Sequence, residues 1–299
     1  MNGMRCDPAS DIRRIEESIE NFSSPLSKQS FQGDSGFLIL RSLEFGFKMF
    51  HEMDFNDIAA SFNGCLKKFD KENCFAELSY IPERHSDEIT EISGNFSLGE
   101  GCYKINNMKK ILVNIPFTYN PNNPSKIPII LSAVLENVPK EGGVAVKWKA
   151  TLNMIDLEKT PQHFQLLFLI TRKNKKSMAK ILIKQGLDFS KLKESPVPEE
   201  LLDKPFYLKT SIKHDIVKME IGDSFSLEHK LDKSERFLSA PELMYPEIFA
   251  PEMDVKIVEL ELSGQVFPYW IVPRAVSFDT KKAEQFFSRK IASGDILPY

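Results

Sequence analysis

The feature that most constrains this chain is an alternation. From Val144 the even positions read Val144, Val146, Trp148, Ala150, Leu152 and Met154, and the odd positions read Ala145, Lys147, Lys149, Thr151, Asn153 and Ile155. Successive side chains of a strand point to opposite faces, so this period of two specifies a half-buried β-strand with Trp148 on its apolar face. Its other face is mostly polar and carries lysine. Upstream, Pro128-Ile129-Ile130-Leu131-Ser132-Ala133-Val134-Leu135 reads as a buried strand, and Pro139-Lys140-Glu141-Gly142-Gly143 holds the residues a turn needs. The two strands are expected to form a β-hairpin. Downstream, Phe164, Leu166, Phe168 and Ile170 make a third alternating face, so residues 127–172 are read as the centre of the fold.

The elements around this centre follow from local signals. Asp7-Pro8 has the form of an N-cap followed by proline at the first helical position, and Ile12, Ile15, Ile19 and Phe22 fall on one helical face. A second helix is expected from Asp54, with Ile58, Phe62, Cys65, Leu66 and Phe69 on one side. The run from Gly36 to Phe50 fits both periods in part and is assigned to neither. Residues 74–81 read as a strand, and residues 111–119 as a strand interrupted by Pro116, at an edge or with a bulge. Ala179–Ile183, Phe206–Ile212, Asp215–Ile221 and Ser224–Leu227 read as further strands, with Gly222-Asp223 as a turn. Pro241 to Pro251, with its three prolines, reads as irregular. Val255–Leu262 and Gln265–Val272 read as a hairpin about Ser263-Gly264. A closing helix is expected from Asp279 or Thr280, with Ala283, Phe286, Phe287 and Ile291 inward.

The fold class expected from this order is α+β and mainly β, an antiparallel β-sandwich or barrel core with flanking N- and C-terminal helices. Ser195-Pro196-Val197-Pro198 is the best linker candidate. It sets off a helical N-terminal flank (1–100), a basic β-rich core (104–194) and a β-rich continuation with a C-terminal helix (199–299); the alternative is that continuation and core form one single domain.

Charge separates these parts. Between Lys104 and Lys191 there are fifteen Lys and Arg against five Asp and Glu, a net charge of +10, while the remaining residues carry −13. Four widely spaced cysteines without CxxC pairing read as free thiols in a reducing compartment. The N-terminal residues have no apolar run, and no eighteen-residue apolar stretch exists, so the chain reads as intracellular, not secreted and without a transmembrane helix. Peripheral contact with a membrane remains compatible with that reading.

There is no GxSxG, Walker loop, GxGxxG or HExxH, and the five histidines are scattered, so no catalytic residue, cofactor or metal site is assigned and the chain reads as non-enzymatic. The sharpest candidate surface is basic. Arg172, Lys173, Lys175 and Lys176, continued by Lys180 and Lys184, are expected to join Lys147 and Lys149 on the polar face of the sheet. Lysines with few acidic neighbours attract phosphates by charge and counterion release, which points to single-stranded nucleic acid, RNA in particular. For one basic turn alone, a solvated surface is the commoner explanation.

Asp156, closing Leu152-Asn153-Met154-Ile155-Asp156, reads first as a strand-end aspartate capping the next turn. The succession of strand, turn, second strand and hydrophobic-Asp ending also resembles the core of the thirty-kilodalton plant-virus movement proteins, over roughly Lys110 to Ile183, with Asp156 matching the signature aspartate. That resemblance implies a homo-oligomeric viral protein carrying RNA from cell to cell, located in host cytoplasm and plasmodesmata; it names no host partner. A different class stays open. Ile115-Pro116-Phe117, the proline loop and Ile129–Leu135 resemble the start of an H-type lectin sandwich, which implies a carbohydrate-binding module. A structural β-sandwich that binds another protein is the third class.

Overall fold

The computed structural model of the protein describes residues 50–51, 53–62, 65–81, 92–93, 97–99, 101–105, 110–119, 127–151, 164–185, 188–232, 242–250, 255–266 and 271. The expected terminal helices, Cys6 and Asp156 lie outside these residues. The chain divides into two compact units, Met1–Cys65 with Phe267–Tyr299, and Leu66–Val266.

In the first unit, α1 (Phe55–Ala60) starts where the sequence places it. Asp54 Oδ1 accepts from Asp57 N at 2.9 Å, and Asp54 N donates to Asp57 Oδ2 at 3.2 Å, a reciprocal capping box. The helix is shorter than expected. It ends at Ser61, whose hydroxyl donates to Ile58 O, and Leu66 and Phe69 lie in a strand instead.

The second unit is strand after strand: β1 (Leu66–Asp70), β2 (Phe75–Tyr80), β3 (Ile92–Ser93), β4 (Ser97–Gly99), β5 (Cys102–Ile105), β6 (Lys110–Val113) and β7 (Phe117–Tyr119). The long strands follow: β8 (Ile129–Glu136), β9 (Gly142–Thr151), β10 (Phe164–Lys173), β11 (Lys176–Gln185) and β12 (Asp188–Val197). After α2 (Glu199–Leu202) come β13 (Phe206–Lys213), β14 (Ile216–Ile221), β15 (Phe225–Lys230), β16 (Glu242–Phe249) and β17 (Val255–Gln265). They build two antiparallel sheets. Sheet one runs β1-β2-β17-β8-β13-β14-β15 with β5 and β4 beside β17; sheet two runs β12-β11-β10-β9-β16-β6-β3 with β7 beside β16. The protein is therefore mainly β and sandwich-like, as the alternation requires.

The core lies between the two sheets. Val144, Val146 and Trp148 of β9 are fully buried, as are Leu166, Phe168 and Ile170 of β10, so the expected inward faces hold. Trp148 is anchored from both layers. Its Nε1–H donates to Thr210 Oγ1 of β13 at 3.2 Å, which satisfies an indole donor that burial would otherwise leave unpaired, and Phe117 meets the ring edge-on at 6.2 Å.

Four sequence expectations are corrected. Strands β8 and β9 are not a hairpin: β8 pairs with β13 and β17 in sheet one, while β9 pairs with β10 and β16 in sheet two. The connection is an arch, because both strands bury one apolar face and face-to-face packing buries the two together. Second, Pro241–Pro251 is not irregular throughout, since it contains β16, an interior strand of sheet two. Pro246 is tolerated there because it lies opposite the gap between β6 and β7, where Asn114, Ile115 and Pro116 leave the ladder and no N–H is needed. Third, Ser263-Gly264 is no turn. It runs straight through β17, and glycine serves close approach, because a Cβ on Gly264 would lie 2.8 Å from Phe117 Cδ1. Fourth, Ser195, Pro196 and Val197 are ladder residues of β12 opposite Ala179, Met178 and Ser177, not a linker. Of the long central strand, Gly142–Thr151 is described as β9, and Leu152 to Ile155 lie outside the described residues.

Candidate functional site

The hairpin β10–β11 brings the exposed lysines together. Asn174 and Lys175 both have left-handed backbone, φ 53° and 57°, the signature of the two-residue turn whose twist matches paired strands. Lys173 and Lys176 close the turn as a cross-strand pair, and Lys173, Lys175 and Lys176 are exposed, as expected. Asn174 N donates to Glu141 Oε1 at 2.9 Å, tying the turn to the β8–β9 arch. Lys180 and Lys184 are half-buried on the outer face of β11. Lys184 Nζ sits 5.6 Å from the ring of Phe189, an aromatic left 41% exposed on the edge strand β12. Lys180 is opposite Glu194, whose carboxyl is held low first by the hydrogen bond from Lys191 and also by the Lys180 charge.

Lys147 and Lys149 do not join that surface. Both turn onto Glu247 of β16, which is 3% exposed. Lys147 Nζ lies 3.1 Å from Oε1, Lys110 Nζ lies 3.3 Å from Oε2, and Lys149 also bonds Oε2. The register explains the meeting: Glu247 pairs with Lys147 on one side and Leu112 on the other, and Tyr245 pairs with Lys149. Burial alone would push the Glu247 carboxyl up, but the lysines outweigh it and hold the group at about 2. Lys149 is lowered instead. Burial acts against its charge, and one shared carboxylate does not offset burial plus the like charges of Lys147 and Lys110. Tyr245, the register partner of Lys149, has a buried hydroxyl without a hydrogen-bond partner.

Arg172 is the larger departure from expectation. It is buried rather than a solvent-facing member of the basic turn, and its guanidinium is a clamp. Nη1 donates to Val138 O at 3.1 Å and Leu202 O at 3.2 Å; Nη2 meets Glu199 Oε2 and Asp203 Oδ1, each at 2.6 Å. Burial opposes its charge, but the Asp203 and Glu199 bonds prevail and keep it protonated. Arg172 lowers Asp203, whereas Glu199 is lowered first by the Ser177 hydroxyl and then by Arg172.

Against this clamp lies an open pocket of about 280 Å³ between the β8–β9 arch and the start of β13. Glu136, Asn137, Lys140, Asp203 and Lys204 give it polar walls, and Val138, Leu202 and Pro205 give it an apolar side. Arg172 lines it too, with a buried Nε–H that has no partner. Asn137 holds the left-handed conformation at φ 59°. Such strain is commoner at ligand sites than elsewhere.

Glu247 and the pocket residues other than Arg172 were not singled out as site residues by sequence reasoning. The odd positions Tyr245, Glu247 and Phe249 alternate with Met244, Pro246 and Ile248, a strand signal masked by Pro241, Pro246 and Pro251. The pocket has no local signature, since its walls come from segments about seventy residues apart. Among the described residues no group of three or more His, Cys, Asp or Glu is placed to hold a metal, and Cys65, Cys74 and Cys102 are buried. No helix among the described residues is long and apolar enough to cross a membrane.

No family model matches the chain, and no curated protein matches it. Among solved structures the chain is similar to the Emp46p carbohydrate recognition domain in its potassium-bound form, at 12% identity over 69% of this chain and 97% of that one, with a TM-score of 0.42. It is similar also to a protein of unknown function with a galectin-like fold from Bacillus subtilis, at 13% identity over 59% and 88%, TM-score 0.42. A legume lectin-like domain from Entamoeba histolytica aligns at 11% identity over 58% and 88%, TM-score 0.39.

Proposed function

We propose that the protein is a non-enzymatic β-sandwich binding module and that its ligand is a carbohydrate of about monosaccharide size held at the arch pocket. The observation that carries this reading is the make-up of the pocket. In the lining Lys140, Lys204 and Arg172 face Glu136 and Asp203, and Arg172 is further paired with Glu199 outside the lining, so the region suits a neutral ligand rich in hydroxyls over an anion. Charged and amide groups supply donors and acceptors, while Val138, Leu202 and Pro205 offer apolar area to C–H faces. A volume of about 280 Å³ lies at the small end of ligand sites. The loss of Lys147, Lys149 and Arg172 to internal partners weighs against the wide basic face that nucleic acid would track.

The test is a panel of neutral monosaccharides and disaccharides assayed by saturation-transfer NMR on the full chain, with an oligonucleotide arm at two salt concentrations. Asn137→Gly keeps the left-handed backbone and removes only the amide, so it should weaken sugar binding about tenfold, one lost hydrogen bond of roughly 1.4 kcal/mol, without unfolding the protein. Sugar binding unaffected by this variant would remove the pocket from the reading. A second reading, single-stranded nucleic acid on the hairpin, is favoured by the exposure of Lys173, Lys175 and Lys176. It takes precedence if no sugar binds and the oligonucleotide binds with an affinity that falls steeply with salt.

A further inference from the structure

We propose that the outer face of sheet two carries a seat for one small oxyanion, a phosphate or sulfate group, formed by Lys147, Lys149 and Tyr245 around Glu247. Two deficits meet at this place. The first is charge: the ammonium groups of Lys147 and Lys149 share the single carboxylate of Glu247, with Lys110 on the same oxygen as Lys149. Side-chain exposure is 4% at Glu247 and 8% at Lys149, so water screens little of the surplus positive charge. The second is hydrogen bonding: the Tyr245 hydroxyl, in a residue 1% exposed, has no acceptor, although the register sets Tyr245 directly across from Lys149. A missing negative charge and a missing acceptor have one remedy, an oxygen anion accepting from both ammoniums and the phenol.

The cluster meets solvent on the side of Lys147 and Lys110. Lys147 retains 19% side-chain exposure and Lys110 retains 35%, while Phe249, with Lys147 Nζ 4.7 Å from its ring centre, is half-buried beside them. Glu247 then acts as the organiser. It converges the lysines, and it sets the affinity, because its negative charge competes with the anion for the same donors. The chemistry fits the free inorganic ion or the same group carried on a phosphorylated or sulfated sugar. The seat shares no residue with the arch pocket, so either can fail alone.

The experiment is titration of the full chain with inorganic phosphate in the low millimolar range, at ionic strength held constant with chloride, read by thermal denaturation and calorimetry. Such concentrations lie below those at which excluded salts stabilise proteins in general. The expected result is a saturable rise in Tm, which follows from preferential binding to the folded state. Lys147→Met should abolish the phosphate response, Tyr245→Phe should weaken binding several-fold, and Glu247→Gln should tighten it by about tenfold or more. Should Glu247→Gln fail to fold, Tyr245→Phe and the partly exposed Lys147→Met still decide the matter. No saturable response in the wild type, a response unchanged in Lys147→Met, or weaker binding by folded Glu247→Gln overturns the proposal. A parallel arm with a sugar phosphate and a sugar sulfate identifies the source: preference for the ester assigns the anion to a larger ligand, and equal affinity assigns it to the free ion.

Discussion

Glu247 draws three lysines because β16 sets it between β9 and β6, and the arrangement gives it a measurable pH signature. Its carboxyl titrates at about 2 in the folded chain, against about 4.3 when unfolded. Between those values the unfolded chain holds a proton that the folded chain has released, so stability rises with pH across the window. The contribution, roughly 3 kcal/mol, is complete above about pH 5 and is lost as pH falls through the folded value. Urea titrations of wild type and Glu247→Gln should therefore show a stability gap that narrows steadily from pH 5 to pH 2; a constant gap would mean the carboxylate is not held low. Trp148 gives a second residue-scale expectation. Trp148→Ala removes a fully buried indole and orphans Thr210, and should cost about 3–5 kcal/mol. In the Trp270→Phe background the remaining emission should be blue-shifted; a water-exposed spectrum would contradict the register of β9. The inward face of Trp148 was legible from alternation alone. The capture of Lys147 and Lys149 by one shared carboxylate was not, because that partner is about a hundred residues away and sits in a proline-rich stretch.

Among the elements, the β8–β9 arch and the β10–β11 hairpin hold one another. Arg172 reaches from β10 to the carbonyls of Val138 and Leu202, and the hairpin backbone takes Glu141. Two glycines test the packing. A Cβ on Gly143 would fall 2.2 Å from Ile170 O, a backbone atom that cannot swing away, whereas a Cβ on Gly264 meets the side chain of Phe117 at 2.8 Å. Gly143→Ala should therefore destabilise by roughly 3 kcal/mol or more and Gly264→Ala by about 1–2 kcal/mol. Chemical denaturation in which the two variants rank the other way would refute the assigned register of β9 against β10. In the hairpin itself, Lys175→Gly relieves a left-handed non-glycine backbone and should stabilise by about 1 kcal/mol, read as a rise in Tm. Pro139-Lys140-Glu141 were rightly read as lying between two strands, whereas Gly142 and Gly143, expected in the turn, already belong to the β9 ladder opposite Arg172 and Thr171. Whether the connection makes a hairpin or an arch depends on partners, and nothing local distinguishes the two.

For the molecule as a whole, sheet order interleaves distant parts of the chain. Strand β17 lies between β2 and β8, and β16 between β9 and β6, so each sheet is completed only by C-terminal sequence. A fragment of residues 104–194 would leave β8 without β13 and β17 and β9 without β16. It should stay unfolded, with an amide NMR spectrum of narrow dispersion, and a well-dispersed spectrum would show that the basic segment is a domain in its own right. What the sequence by itself determined is the class of fold, the position of most strands and the face each presents, because alternation, turn residues and the Asp54 cap are local and act within a few residues. What only the tertiary structure decided is which strands pair, which lysines remain exposed and where a pocket opens. Those outcomes follow from contacts between residues far apart in the chain. A lone lysine or arginine carries no mark of whether a carboxylate such as Glu247 or Glu199 will be folded against it.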